Sequence, residues 1–413
     1  MRERLSPGAR SNPRSPKRSI SRWQSAGVQT RGSRIAGISA RAKARSGSAH
    51  LSGPTGRHNA LAAFSSYVVL CKSKAPMDSV TQIALGAAVG EKVLGKKVGN
   101  KAPLWGAALG ILPDLDVLGA AFLSGTDQLG FHRWVSHSLL FAVGGGLGIG
   151  WALSKLHRDA NWREWTTLAF WAILTHALLD CFTGYGTQLF SPFSNYPVAF
   201  GSIFVIDPLY TLPLAIGLIT ALFQRRLHWR RRLNALGLCL STAYLLATAA
   251  ICLHVRSTFA HALTEQGIAY ERLRVVPTPF NAVLWSGLAG ADDHLWAGLY
   301  SLLDDDSAIL FRRIERNTHL IAPRRDDPPI QRLFWFSRGY YRVENRADAL
   351  YFYDLRFGRS DFYLDSTGTY FFTFRLLPDP SHSERIADLQ RINNPSELTD
   401  QALKRLWLRL LGI

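Results

Sequence analysis

Residues 113–116 read PDLD, residues 132–138 read HRWVSHS, residues 175–180 read THALLD, and residues 206–208 read IDP. Long apolar runs separate these four polar motifs. Ionisable side chains are costly inside a bilayer, and where apolar helices carry them they usually mark a functional site. The pattern therefore predicts a metal site at one face of a membrane helix bundle.

Six apolar segments are predicted as helices, and several approach the roughly 20 residues that a bilayer-spanning helix needs. They cover residues 79–94, 102–123, 137–156, 165–182, 203–223 and 233–253. Pro113 is expected to break the hydrogen-bond ladder of the second segment. The predicted fold class is an α-helical integral membrane bundle of about five to six transmembrane helices.

The basic loops predict the orientation of this bundle. Several Lys and Arg residues occur in residues 92–101, 155–163 and 225–232, and the positive-inside rule puts such loops in the cytoplasm. The loops follow the first, third and fifth helices, as an alternating path requires. All the polar motifs then fall on the extracytoplasmic face.

The two ends of the chain differ from this apolar centre. Residues 1–76 contain 15 Lys and Arg residues but a single acidic residue, Glu3, and supply most of the net charge of +18. They are predicted to be a basic disordered leader or an over-extended start before Met77. The alternatives are a transit peptide and a nucleic-acid-binding tail, but no specific nucleic-acid binding is expected.

Residues 256–413 are mixed and charged, and are predicted to form a smaller α+β extracytoplasmic domain. Runs rich in Tyr, Phe and Leu at residues 333–335, 349–357 and 369–376 favour strands, and residues 396–411 favour a short helix. The membrane domain is assigned to residues 77–255. The role of the C-terminal domain stays open.

His176 and Asp180 form the simplest candidate metal pair. They are four residues apart, so a helix places them on one face. Such a pair can hold a divalent metal when neighbouring helices supply the other ligands. The alternative is a hydrogen bond between the two side chains with no metal.

His132 and His137 are five residues apart, which does not align them on one regular helix. If Ser136 caps the third helix, His132 lies in the preceding loop and both imidazoles can point at one centre. Arg133 beside them suits an anionic substrate, because guanidinium groups pair with phosphate and carboxylate oxygens. A lipid-headgroup or structural contact is its alternative. Ser138 is interpreted as a packing or capping residue.

Asp114 and Asp116 complete the predicted ligand set. They are two residues apart, and Pro113 loosens the helix enough for both to reach one or two metals; helix termination is the alternative. Asp207 is interpreted as either a ligand or a helix N-cap. The predicted metal ligands are Asp114, Asp116, His132, His137, His176 and Asp180.

This mixed nitrogen and oxygen ligand set suits zinc first, with manganese or iron as alternatives. A metal with an open position lowers the pKa of bound water toward ~7, which favours hydrolysis. Asp114 or Asp116 is then the expected proton acceptor, with Arg133 as a further catalytic residue. Two other classes remain: an ion-relay transporter that uses the His/Asp cluster, and a non-catalytic membrane scaffold.

Four ordered motifs carry a resemblance to a known family. The segment MDSVTQIALGAAVGE (residues 77–91), PDLD, HRWVSHS and THALLDCFTGYGTQLF (residues 175–190) resemble the bacterial YdjM/YbcI-like predicted membrane-bound metal-dependent hydrolases. The resemblance covers residues 77–279. It implies a bacterial inner-membrane protein whose functional positions are the six ligands named above.

This chain departs from the family pattern at two places. Relatives often have His where this chain has Gln82, so Gln82 is a doubtful ligand. Trp134 and Val135 replace the commoner Gly and Phe. The family is similar, more distantly, to zinc-dependent phospholipase C and S1/P1-type nucleases. The resemblance thus implies a phosphoester or lipid-linked substrate, with the lipid bilayer as partner.

Overall fold

The computed structural model describes residues 79–346, 349–364, 368–392 and 400–413. The predicted leader, residues 1–76, lies outside the described residues, as does Met77. Within the described part, a helical region comes first and two antiparallel sheets follow it.

Eight α-helices and two 3₁₀ turns make up the helical region as described. They are α1 (Ser79–Val98), α2 (Lys101–Ile111), a 3₁₀ turn (Leu112–Leu115), α3 (Asp116–Ala120), α4 (Gly125–Phe131), a 3₁₀ turn (Val135–His137), α5 (Leu139–Leu156), α6 (Trp162–Phe182), α7 (Pro208–Phe223) and α8 (Leu227–Glu265).

The predicted second segment, residues 102–123, is interrupted around Pro113, as expected. The chain leaves α2 at Ile111, passes through the 3₁₀ turn Leu112–Leu115 and continues as the short α3. The cause is Pro113, which has no N–H to extend the helix.

Three of the described helices are long and apolar enough to cross a membrane: α5, α6 and α8. The shorter α7 is also apolar. The prediction of a membrane helical region is therefore confirmed. The prediction of five to six spans is not confirmed, because α2 has only 11 residues and α1 is not among the three.

Close helix packing in this region depends on glycine. A Cβ added to Gly86 of α1 would lie 2.8 Å from the Cα of Gly110 and would overlap the carbonyl oxygen of Gly106 in α2. These neighbours are backbone atoms, which cannot rotate away. The absence of a side chain at Gly86 thus lets α1 and α2 touch along their backbones.

We expect Gly86→Ala to lower the free energy of unfolding by about 1–3 kcal/mol, because the added methyl group forces the two helices apart. The matched control is Gly144→Ala in α5, where an added Cβ meets nothing within 4 Å. Thermal unfolding of both variants in the same detergent measures the difference. Equal midpoints of thermal unfolding for the two variants would show that the close α1–α2 contact does not determine the stability of the helical region.

Ion pairs join the helices at the end of the bundle that carries the basic loops. Lys97 and Glu164 are 2.6 Å apart, and Lys101 and Asp159 are also 2.6 Å apart. The polar motifs occur at the opposite helix ends.

The helix α8 has 39 residues and joins the helical region to the sheets without a break. Its last turns carry Val255 and Phe259, which are fully buried against β-sheet residues such as Trp285. It continues through the predicted domain boundary at residues 255 and 256.

Each of the two sheets has four antiparallel strands in sequential order. The first contains β1 (Arg272–Pro277), β2 (Leu284–Gly290), β3 (His294–Ser301) and β4 (Arg312–Glu315). The helix α9 (Pro328–Ser337) precedes the second sheet, which contains β5 (Tyr341–Arg346), β6 (Ala349–Arg359), β7 (Tyr370–Pro378) and β8 (Ile386–Ile392). The chain then forms α10 (Asp400–Leu410).

A separate C-terminal domain with two antiparallel sheets is thus present. The strands predicted near residues 349–357 and 369–376 correspond to β6 and β7. The strand predicted at residues 333–335 is wrong, because this run lies inside α9. Three residues are too few to separate a helical from a strand period, and Pro328 at the start favours the helix.

Candidate metal centre

Four buried side chains converge near one end of the helices: Asp114, His137, His176 and Asp180. Asp114 comes from the 3₁₀ turn after α2, and His137 ends the 3₁₀ turn before α5. His176 and Asp180 lie one turn apart on α6. Each residue offers one ligand atom, and these atoms lie within 4.8 Å of one another.

The distances from the two imidazole nitrogens to the other ligand atoms are close to those of a small tetrahedral centre. The two His Nε2 atoms are 3.1 Å apart, and His137 Nε2 lies 3.3 Å from Asp114 Oδ1 and 3.4 Å from Asp180 Oδ2. His176 Nε2 lies 3.6 Å and 3.7 Å from the same two oxygens. Ligands about 2.0–2.2 Å from a central zinc are separated by about 3.3–3.6 Å in a tetrahedron.

Hydrogen bonds behind the two imidazoles determine which nitrogen faces the centre. His176 Nδ1 lies 2.6 Å from the carbonyl oxygen of Gly110, which can only accept, so Nδ1 carries the proton. His137 Nδ1 lies 2.9 Å from Ser136 Oγ, whose own proton is donated to Asp116. Both Nε2 atoms therefore present lone pairs to the same point, an arrangement that a cation stabilises.

The charge around this point also favours a cation. Asp114 and Asp180 supply two negative charges, and Arg133 Nε lies 3.0 Å from Asp180 Oδ2. Gln82 donates from Nε2 to the other Asp180 oxygen at 3.1 Å. With neutral imidazoles, two carboxylates and one guanidinium leave one net negative charge. The group can hold a metal ion.

Asp116 and His132 lie outside this group of four, although both were predicted as ligands. His132 Nδ1 is 2.7 Å from Asp116 Oδ1, and Asp116 Oδ2 accepts from Ser136 Oγ at 2.7 Å and from the Arg133 backbone N–H at 3.1 Å. Burial opposes the charge on Asp116, but hydrogen bonding, above all from His132, outweighs it and lowers the pKa of this carboxyl. Asp116 therefore orients His137 and His132 as an ionised acceptor.

Arg133 makes a structural contact, which the sequence analysis gave as one alternative to binding an anionic substrate. Its side chain is 1% exposed and turns inward to Asp180 and to Thr183 Oγ1, 3.1 Å from Nη1. Its guanidinium carbon lies 5.0 Å from the centre of the Tyr185 ring. The backbone of Arg133 has φ +64°, which is uncommon for a residue other than glycine. Arg133 thus supports Asp180 from within the protein.

Ser138, Asp207 and Ser136 have clear structural places. Ser138 is the N-cap of α5 and accepts from the Phe141 N–H at 3.0 Å, as its capping interpretation expects. Asp207 caps α7, where its Oδ1 accepts from the Leu209 N–H at 2.9 Å. It does not belong to the group of four. The predicted cap at Ser136 is wrong, since that hydroxyl binds Asp116.

One small cavity adjoins the centre, and a second borders the neighbouring His132. Asp114 and Asp180 line the first together with Gln82 and Thr183. His132 and Tyr185 line the second, whose opposite wall is formed by Trp335, Phe336 and Arg356 of the C-terminal domain, with Arg356 on β6. The first cavity leaves room beside the two carboxylates. The second borders the imidazole of His132, which is bonded to Asp116.

A family match covers the helical part that carries this centre. Residues 77–255 match the YdjM inner membrane protein family. The resemblance predicted from the four motifs is thereby confirmed.

The YdjM segment, residues 77–255, contains all four residues of the group and ends before β1. The membrane setting predicted for it is supported by both the family and the apolar helices. No curated protein and no solved structure matches the chain.

Sequence reasoning missed Tyr185, Ser136 and the Gly110 carbonyl as parts of the site's support. Tyr185 lies between two glycines shortly after α6, and this GYG motif in the sequence could have marked Tyr185 as a candidate residue of the site. The carbonyl of Gly110 has no sequence signal, because its role depends on how α2 packs on α6.

Proposed function

We propose that this protein is a membrane-bound, metal-dependent hydrolase that acts on a phosphoester carried by a lipid or lipid-linked substrate. The observation that supports it best is the convergence of two imidazole lone pairs and two carboxylates on one buried point. Such a group is costly to bury without a cation. Zinc fits the donor set and the spacing, with manganese and iron as alternatives.

Asp114, His137, His176 and Asp180 would hold the metal. When bound, a divalent metal supplies an acidified water and polarises a phosphoryl oxygen. Asp114 and Asp180 both line the first cavity, which leaves space beside the two carboxylates that would hold the metal.

His132 is the best-placed proton acceptor in this proposal. Asp116 accepts the Nδ1 proton of His132 at 2.7 Å, which leaves Nε2 as the acceptor atom, and the His132 ring centre lies 5.6 Å from that of the candidate ligand His137. Asp116 itself already receives hydrogen bonds from His132, Ser136 and the Arg133 backbone. This assignment replaces the sequence-based choice of Asp114 or Asp116 as base.

A lipid-linked substrate is favoured by the surface next to the centre. Large apolar side chains are exposed there, including Phe122, which is 91% exposed, and Leu118, which is 66% exposed. They lie on the short segment between Asp116 and His132. Exposed apolar side chains of this kind suit the boundary between lipid tails and headgroups.

The proposed orientation puts the metal centre and the C-terminal domain on the extracytoplasmic face of the inner membrane. The support is the separation of the ionic end, with Lys97, Lys101 and Arg230, from the polar motifs. An alkaline phosphatase fusion after residue 300 is expected to be active, and an inactive fusion would invert the orientation.

Metal analysis combined with a substrate panel tests the proposed activity. We expect the purified protein to contain about one divalent metal per chain, to hydrolyse a phosphodiester or phospholipid, and to lose this activity on chelation and regain it with Zn²⁺ or Mn²⁺. Protein that binds no metal would contradict the proposal. Metal-dependent ion flux in proteoliposomes without hydrolysis would favour the transporter instead.

A further inference from the structure

Three arginines of the C-terminal domain surround the segment that directly follows α6. Arg274 of β1 donates to the Gly184 carbonyl, Arg356 of β6 donates to the Tyr185 carbonyl at 3.4 Å, and Arg338, which follows α9, donates to the Pro197 carbonyl. Gly184 and Tyr185 thus each meet a different arginine.

The glycines of this segment fit the arginines closely. A Cβ at Gly184 would lie 2.8 Å from Arg274 Nη2, and a Cβ at Gly186 would lie 2.6 Å from Arg338 Nη2. Gly186 also has φ +110°, which favours glycine. The guanidinium groups therefore occupy the space that side chains would take, and they fix the path of residues 184–186.

This segment is linked to the metal centre through two contacts. Thr183 Oγ1 accepts from Arg133 Nη1, and the Tyr185 ring lies against the same guanidinium. Arg133 in turn pairs with Asp180, one of the four candidate ligands. The contacts thus run from the C-terminal arginines to residues 183–186, from these residues to Arg133, and from Arg133 to Asp180.

The arginine group is electrostatically costly. The buried carboxylate of Asp354 binds Arg356 through two nitrogens at 2.7 and 3.1 Å, and its charge also acts on Arg274 and Arg338. Burial, followed by the charges of Arg356 and Arg338, lowers the pKa of Arg274 to about 9. Apolar side chains would fill such a contact at lower cost, whereas planar guanidinium groups add directional hydrogen bonds to carbonyl oxygens.

A second contact reaches the other side of the centre. Asp388 of β8 accepts from the Gly125 N–H at 3.2 Å and the Thr126 N–H at 2.9 Å, at the start of α4. This helix leads directly to His132 and Arg133. The C-terminal domain therefore holds two separate segments that adjoin residues supporting the centre: residues 183–186 after Asp180, and α4 before His132 and Arg133.

We propose that Arg274, Arg338 and Arg356 are positioning residues for the metal centre. They fix residues 183–186, and these hold Arg133 against Asp180. The C-terminal domain is then part of the metal-binding unit, although it lies outside the YdjM segment. This inference rests on the metal binding in the proposed function.

Titration of the full chain with Co²⁺ in detergent tests this inference, because visible absorption reports both affinity and coordination geometry. We expect Arg338→Ala to weaken Co²⁺ binding by at least about 10-fold, the usual effect of removing an outer support, and to alter the spectrum. Arg338→Lys keeps the charge without the planar fork, and a smaller loss is expected. Arg338→Lys also tests the inference if the Arg338→Ala variant does not fold.

The matched control is Arg409→Ala. Arg409 also donates to a carbonyl, that of Leu299 at 3.1 Å, and pairs with Asp304 in the same domain. Its Co²⁺ titration is expected to equal that of the wild type. Unchanged affinity and spectrum in the Arg338 variants would overturn this inference but would leave the proposed function standing. A wild-type chain that binds no Co²⁺ would overturn the proposed function together with it.

Discussion

His176→Ala is expected to reduce divalent-metal affinity by more than about 100-fold and hydrolysis to background, since removal of a ligand exceeds the 10–100-fold effect of removing an outer support. The Nε2 atom of His176 lies within 3.7 Å of the other three candidate ligand atoms. His132, the next histidine along the described chain before His137, bonds to Asp116 and is not among the four grouped residues. Metal content after dialysis and Co²⁺ titration measure the loss.

The matched control for this variant is His261→Ala. His261 and Glu265 repeat the four-residue spacing of His176 and Asp180 on a helix, with Nδ1 and Oε2 3.3 Å apart, but both side chains are exposed. We expect this variant to keep wild-type metal content and activity. If His176→Ala retains stoichiometric metal, the assignment of the four ligands is wrong.

His132→Gln is expected to lower kcat by about 10²–10⁴-fold, the usual contribution of a general base. Metal content should stay unchanged, because His132 is outside the group of four. Asp116→Asn should have a similar effect on kcat, since it removes the charged acceptor that orients His132. Activity assays beside metal analysis separate this loss from the metal loss expected for His176→Ala.

The double variant gives the sharper test of the His132–Asp116 pair. If the two residues act as one unit, the double variant should be no slower than the slower single variant. His261→Gln is the matched control and should keep the wild-type rate. The role assigned to His132 would be contradicted if the effects of the two single variants on the rate were fully additive, or if His132→Gln lost its metal.

Helical spacing alone was enough to pair His176 with Asp180. Four residues correspond to about one helical turn, so both side chains share a face whatever the surrounding fold. Sequence could not choose between Asp114 and Asp116 in the same way. The 3₁₀ turn at Leu112–Leu115 turns Asp114 to the centre and Asp116 to His132, and such a local change of helix type has no distinct period.

The motif HRWVSHS specified two histidines without assigning them different roles. Their separation depends on the backbone of Arg133, whose positive φ turns the chain between His132 and His137. Sequence reasoning left Arg133 open between an anionic substrate and a lipid-headgroup or structural contact, and the structure turns it to Asp180. Long-range contacts of this kind, including those from Arg338 and Arg356, depend on packing that the sequence pattern does not encode.

The unbroken α8 also gives the molecule a mechanical property. Its 39 residues correspond to a rod about 58 Å long, of which a bilayer core covers roughly half. A tilt of about 5° at one end would move the other end by about 5 Å. A change in bilayer thickness that alters the tilt of α8 would therefore displace the sheet packed around Phe259. The thickness of the lipid bilayer would in this way influence the domain outside the membrane.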